Sequence, residues 1–117
     1  MKIPQPIVID FETFRIENRP DYPPEPVGVA IRDGINKPHY FHWGHPDSNP
    51  HKFDRAEYEL RKAFSPASTR PLLFHNAKFD VAVACERLGL PMPHWSRIHD
   101  TMFLAFLADP HSKSTGL

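Results

Sequence analysis

The stretch Ile7–Thr13, "IVIDFET", joins a hydrophobic strand to a pair of carboxylates. Alternate residues of a strand face the same side of a sheet, so its hydrophobic residues are predicted to share one face and Asp10 and Glu12 the other. Two like charges ~6.5 to 7 Å apart along a strand repel each other. A hard divalent cation bound through oxygens would relieve that repulsion. The alternative is a strand end at which both acids point into water, and the pair alone does not decide between the two.

Length and composition limit the classes of protein to which the chain can belong. Its 117 residues suffice for one domain with a modest core, and 40% hydrophobic residues indicate a globular chain. A net charge of zero argues against a basic protein that coats nucleic acid, but it leaves open a nucleic-acid enzyme whose metal ions supply the positive charge. The only cysteine is Cys85, which excludes an internal disulfide and favours a reducing, cytoplasmic location. The N-terminal residues do not resemble a signal peptide and no hydrophobic run reaches ~20 residues, so no membrane partner is expected.

Hydrophobic periodicity and turn residues predict the order β-β-β-α-β-α-β-α. The predicted strands cover 6–12, 26–33, 39–43, 71–76 and 97–100, and the predicted helices cover 53–64, 77–89 and 101–109. Asp54 is expected to be the N-cap of the first helix, in a capping box with Glu57. The helix over 101–109 is hydrophobic on all sides, which is typical of a buried helix. Three antiparallel strands followed by alternating α and β units predict an α/β fold with a mixed sheet flanked by helices.

Two further polar groups lie where a predicted strand meets a helix. The first is "HNAKFD", in which Asn76 can cap the helix and Asp80 follows on its first turn. The second is "HDT", in which Asp100 is a natural N-cap for the hydrophobic helix. In open α/β sheets, sites form at the carboxyl ends of strands. Helix capping alone remains an alternative explanation for each group.

Taken in order, "VIDFET", "HNAKFD" and "HDTMFLAFL" resemble the DnaQ-like, or DEDD, superfamily of 3′→5′ exonucleases, in particular the proofreading exonuclease domain of family A DNA polymerases. The D-x-E of the first motif matches Asp10 and Glu12. The matches to the second and third motifs are Asn76, Phe79 and Asp80, and Asp100 and Thr101. The likeness covers nearly the whole chain. It implies a ribonuclease-H-like fold with three antiparallel strands and with helices on both faces of the sheet.

The resemblance also implies a chemistry, namely removal of nucleotides from DNA 3′ ends by hydrolysis with two Mg²⁺ or Mn²⁺ ions. The implied catalytic residues and metal ligands are Asp10, Glu12 and Asp80; the implied substrate-binding residues are Phe11, Thr13, Asn76 and Phe79; and the implied supporting residues are His75 and Asp100. The expected partners are single-stranded 3′ ends, DNA rather than RNA, and a DNA polymerase domain. A ribonuclease of the same superfamily and an inactive binding module with the same fold are the alternatives.

The chain departs from the family pattern in one respect. The family has a fourth carboxylate, four residues after a Tyr or five after a His, on a helix well beyond the second motif. No Tyr here has an Asp four residues on, and the His–Asp pairs with the five-residue spacing are His42–Asp47, before the second motif, and His75–Asp80, the second motif itself. We therefore expect residues 1–117 to form the N-terminal part of an exonuclease domain that is incomplete and weakly active or inactive alone.

Overall fold

The computed structural model describes residues 5–13, 23–44 and 51–101. The strands are β1 (Ile7–Thr13), β2 (Pro26–Asp33), β3 (His39–His42), β4 (Leu72–Phe74) and β5 (Ile98–Asp100), and the helices are α1 (His51–Phe64) and α2 (Ala77–Ala82). A π-helical turn, Val83–Arg87, continues α2, and a short 3₁₀ turn, Trp95–Arg97, precedes β5. The predicted hydrophobic helix lies outside the described residues except for Thr101, which is helical. Within the described ranges, no helix is long and hydrophobic enough to cross a membrane.

The five strands form one mixed sheet in the order β3-β2-β1-β4-β5. The strands β1, β2 and β3 pair antiparallel, and β4 and β5 run parallel to β1. The turn after β2 uses Gly34 at a φ of 61°, a left-handed conformation that glycine adopts without a steric penalty. The sheet confirms the predicted α/β class, with three antiparallel strands followed by α/β units.

The two faces of the sheet differ in their side chains. The inner face carries the buried residues Ile7, Ile9, Phe11, Val29, Ile31 and Phe41. These residues form one hydrophobic cluster with side chains of β4, α1 and α2. The outer face carries Asp10 and Glu12, both exposed. Helices on both faces of the sheet stay a prediction, because both described helices pack into the inner cluster and the third predicted helix is not described.

Helix α1 begins at His51, so the capping box predicted at Asp54 is wrong. The helix continues for three residues before Asp54, and the ring of Phe53 packs edge-on against Trp43 with the ring centroids 5.2 Å apart. Asp54 lies in the first turn instead, where the helix dipole favours a negative charge. The predicted hydrophobic stripe is confirmed, since Ala56, Leu60, Ala63 and Phe64 are all buried.

A buried arginine ties α1 to the starts of β4 and β5. Arg97 is 8% exposed, and its guanidinium donates to the carbonyl oxygens of Arg70 (2.9 Å), Ser65 (3.3 Å) and Ala63 (2.7 Å). Two of these carbonyls follow or end α1, and the third immediately precedes Pro71 and β4. The positive charge of Arg97 is therefore buried with each guanidinium nitrogen bonded to a carbonyl.

Candidate active site

The parallel pairing of β4 with β5 brings the two predicted strand–helix junctions together. Phe74 is paired with Asp100, so the residues that follow each strand lie side by side. His75 Nδ1 lies 2.7 Å from Thr101 Oγ1, which joins the junction after β4 to the junction after β5. Both junctions lie at the carboxyl ends of the strands, where the sequence predicts a site.

The carboxylate of Asp100 caps α2 from the neighbouring strand. Its Oδ1 accepts the backbone N–H of Asn76 at 3.1 Å, and its Oδ2 accepts that of Ala77 at 3.0 Å. Asn76 is the N-cap residue by position, but its side chain makes no capping hydrogen bond, so the predicted capping by Asn76 is wrong. Its backbone is left-handed, with a φ of 74°, a conformation that asparagine adopts more readily than most residues. Asp100 thereby fixes the start of the helix that carries Asp80.

Asp80 is buried against the edge of β1. Strand β4 pairs with β1 only at Ile7 and Val8, so further along β1 the backbone has no strand neighbour on that side among the described residues. The N–H of Phe11 instead donates to Asp80 Oδ1 at 3.3 Å. Asp80 is 1% exposed, and its Oδ2 has no hydrogen-bond partner in the described part of the chain.

This environment raises the pKa of Asp80 from its ordinary value of 3.8 to about 7. Burial is the largest cause, because it removes water from the charged form. The hydrogen bond from Phe11 opposes the rise, and the negative charges of Asp10 and Asp100 add to it. The charges of Asp10 on β1 and Asp100 on β5 thus act on the buried carboxyl of Asp80 on α2.

Asp10 and Glu12 lie on the outer face of β1, both exposed. Glu12 Oε2 lies 3.4 Å from His42 Nδ1, a contact that crosses β2. Local sequence patterns do not connect these two residues. The feature that indicates the contact is the small residue Gly28, which pairs with Glu12 on one side and with His42 on the other.

The four residues implied to bind substrate occupy different environments. Phe11 is 7% exposed and packs in the hydrophobic core, so its ring is a core residue and its backbone N–H is the part that faces the site. Phe79 is half-buried and packs against the same core. Asn76 and Thr13 are half-buried, and Thr13 follows a register shift in the pairing of β1 with β2. Such irregularities redirect the chain at the end of a strand.

The donor set suits a hard cation, although the acids are not assembled around one point. In residues 5–13, 23–44 and 51–101, no group of three or more His, Cys, Asp or Glu side chains is arranged to hold a metal ion. The buried Oδ2 of Asp80, which has no hydrogen-bond partner among the described residues, is however an oxygen that a cation would satisfy. Asp10, whose charge acts on Asp80, and Glu12 offer further carboxylate oxygens on β1. The residues present therefore fit Mg²⁺ or Mn²⁺ by chemistry.

Comparison with known proteins gives a likeness in structure only. No family model matches the sequence, and no curated protein matches it. A solved structure described as "apo form of the nuclease" is similar, with a TM-score of 0.63 and 20% sequence identity. The match covers 97% of this chain and 48% of that chain, so the chain spans about half the length of the nuclease. At this identity the likeness concerns the fold, and it agrees with the ribonuclease-H-like arrangement of the sheet.

Proposed function

We propose that this chain belongs to a metal-dependent nuclease that removes nucleotides from the 3′ ends of nucleic acid. The observation that carries the proposal is Asp80, a buried carboxylate that binds the N–H of Phe11, between Asp10 and Glu12, and whose Oδ2 has no hydrogen-bond partner among the described residues. Buried polar groups normally have partners, and strongly perturbed acids cluster at functional sites. The likeness in fold to a structure named as a nuclease supports the same reading of the site.

Asp10, Glu12 and Asp80 would hold the Mg²⁺ or Mn²⁺ ions. When bound, such ions lower the pKa of a water and stabilise the charge that develops on the leaving oxygen. The role of the chain is to hold its carboxylates rigidly. The Phe11 N–H orients Asp80 Oδ1, and Asp100 fixes the start of the helix on which Asp80 stands. A carboxyl with a pKa of about 7 is about half protonated at neutral pH, and a bound cation would favour its ionised form.

The finer substrate assignment rests on the ordered motifs. A single-stranded DNA 3′ end is the proposed substrate, a proofreading role beside a DNA polymerase is the proposed context, and the cytoplasm is the proposed location. The half-buried Asn76 and Phe79 would border the path of the single-stranded DNA.

A binding module without catalysis is the second candidate. It is favoured by the absence of an assembled cluster of three metal-binding side chains in the described ranges. Such a module would keep the fold and bind nucleic acid, but it would not cut it.

Digestion of a 5′-labelled single-stranded DNA in Mn²⁺ tests the proposal. We expect slow stepwise shortening from the 3′ end, in line with the weak activity expected of this chain alone, and we expect Asp10→Asn and Asp80→Asn to abolish it. The matched control is Asp54→Asn, which removes an exposed acid on α1 and should leave digestion unchanged. Digestion that persists in Asp10→Asn would contradict the proposal, and strand binding without digestion by the unmodified chain would favour the binding module. An RNA of the same sequence, run in parallel, decides between the deoxyribonuclease and the ribonuclease.

A further inference from the structure

Two rows of residues cross the antiparallel strands on the outer face of the sheet. In the first row, Asp10 on β1 pairs with Ala30 on β2, which pairs with Tyr40 on β3. In the second row, the order is Glu12, Gly28 and His42. Each row has a large polar side chain at either end and a small residue in the middle. Ala30 therefore forms the floor of a groove between the acids of β1 and the rings of β3, and Gly28 lies next to it in the second row.

The groove is a measurable cavity. It has a volume of about 280 Å³ and is lined by Asp10, Glu12, Ala30, Tyr40 and His42. Ligand pockets start near ~300 Å³, so the space suits one small planar group and not a duplex. Neighbouring strands lie ~4.8 Å apart, which puts the two walls about 9 to 10 Å from each other at the backbone.

Gly28, beside the groove, leaves no room for a side chain. A methyl group built at Gly28 would lie 2.9 Å from the carbonyl oxygen of Phe41 and 3.0 Å from His42 Nδ1. The first of these atoms belongs to the backbone and cannot turn away. Any side chain at position 28 would therefore displace β3 or fill the space over which Glu12 and His42 approach each other.

Tyr40 presents its ring beside this groove. It is 63% exposed and lies on the edge strand β3, where it pairs with Ala30 of β2. An exposed tyrosine on an edge strand is common in itself. Here the ring stands in the same row as Asp10 and borders the same cavity.

We propose that Tyr40 stacks on the base of a nucleotide whose phosphate lies at Asp10 and Glu12, an inference that rests on the nuclease function proposed above. A phosphate needs a cation between it and the two acids, so it belongs at the β1 wall. The uncharged base then extends across Ala30 to the β3 wall, where Tyr40 offers an aromatic face. Stacking accepts any base, because every base has a π-face, so this contact favours an unpaired strand without selecting its sequence.

Steady-state digestion of a single-stranded oligonucleotide in Mn²⁺ tests the role of Tyr40. Tyr40→Ala should raise KM about tenfold, within the range that base–aromatic stacking supplies, and change kcat less than twofold. Tyr40→Phe should keep the KM of the unmodified chain, because the ring remains. The matched control is Tyr58→Ala, since Tyr58 is also 63% exposed but lies on α1, away from the groove.

Equal KM values for Tyr40→Ala and Tyr58→Ala would overturn the inference, and so would a loss of affinity in Tyr40→Phe equal to that in Tyr40→Ala. If the strand is bound without being cut, the same comparison is made on the Kd of a fluorescein-labelled oligonucleotide by fluorescence anisotropy. The two proposals fail separately. Digestion abolished by Asp10→Asn but unaffected by Tyr40→Ala removes only the stacking role, whereas digestion that survives Asp10→Asn removes the proposed function.

Discussion

One charged residue is buried at each end of the parallel strands, and the two residues differ in how fully they are hydrogen-bonded. At the starts of β4 and β5, Arg97 has three hydrogen bonds to carbonyl oxygens. At the other end, Asp80 has one hydrogen bond and an unpartnered oxygen among the described residues. Burial lowers the pKa of Arg97 and raises that of Asp80, so desolvation disfavours both charges.

We interpret this difference as the difference between a charge that serves the fold and one that serves the proposed site. A buried charge stabilises a fold only if hydrogen bonds offset its desolvation, and Arg97 meets that condition. Asp80 does not, and two further acids act on it from Asp10 and Asp100. We therefore infer that Arg97 stabilises the fold at the starts of β4 and β5. At their carboxyl ends, the ionised Asp80 destabilises the fold, and a bound cation would offset that loss.

The largest expected effect is on the pH dependence of stability. The folded pKa of Asp80 is above its ordinary value of 3.8, so the protonated acid favours the folded state. That contribution is complete below about pH 4 and is lost as the pH rises to about 7. A shift of about three units corresponds to ~4 kcal/mol at most. In EDTA, the free energy of unfolding of Asp80→Asn minus that of the unmodified chain should therefore increase from about pH 4 to about pH 7. Urea denaturation at each pH measures both values.

The difference between the two chains is the quantity to follow, because other acids titrate in the same range. Asp33, whose pKa is lowered by its hydrogen bond to Arg70, has the opposite pH dependence and cancels in the difference. Asp54→Asn serves as the control and should show no such gain. If the difference in free energy of unfolding between Asp80→Asn and the unmodified chain stays constant from pH 4 to pH 8, the ionised form of Asp80 is not destabilised by burial.

At the other end of the sheet, Arg97→Ala should lower the free energy of unfolding by about 3 kcal/mol. The substitution leaves three carbonyl oxygens without their donor and removes buried side-chain volume. Urea denaturation measures the loss. Arg61→Ala, which removes an exposed arginine that pairs with Glu57 within α1, should change stability by ~0.5 kcal/mol or less. Equal effects of the two substitutions would contradict the structural role of Arg97.

Substitution of Asp100, which joins the two strand–helix junctions of the site, should lower the free energy of unfolding by a smaller amount. Asp100→Ala removes the acceptor of two backbone N–H groups at the start of α2 and should cost ~1 to 2 kcal/mol. Asp100→Asn keeps one acceptor oxygen and should cost less. If Asp100→Ala and Asp100→Asn are equally stable in thermal melts, the capping role is wrong.

The sequence predicts the parts of this molecule that depend on near neighbours. Alternation in "IVIDFET" correctly separates the buried residues of β1 from Asp10 and Glu12, and the Asp33–Gly34 turn correctly ends β2. The sequence misplaces the start of α1, because Asp54 is a good N-cap by residue type, whereas the helix begins at His51. Local propensity does not report such an extension.

The chemistry of the candidate site depends on contacts between distant residues, which the sequence pattern does not contain. Asp100 caps a helix that begins 23 residues earlier, and Asp80 binds an N–H 69 residues away. Both contacts follow from where β4 ends and how β5 pairs with it. The sequence indicates that these acids belong to one site, but their burial and hydrogen bonds require the fold.

Thermal unfolding with and without Mn²⁺ tests most directly whether the burial of Asp80 serves a cation. We expect Mn²⁺ to raise the Tm of the unmodified chain by several degrees, since a ligand that binds only the folded state stabilises it. Asp80→Asn should have the higher Tm in EDTA and gain little or nothing from Mn²⁺. An Asp80→Asn chain that Mn²⁺ stabilises as much as the unmodified chain would contradict the account.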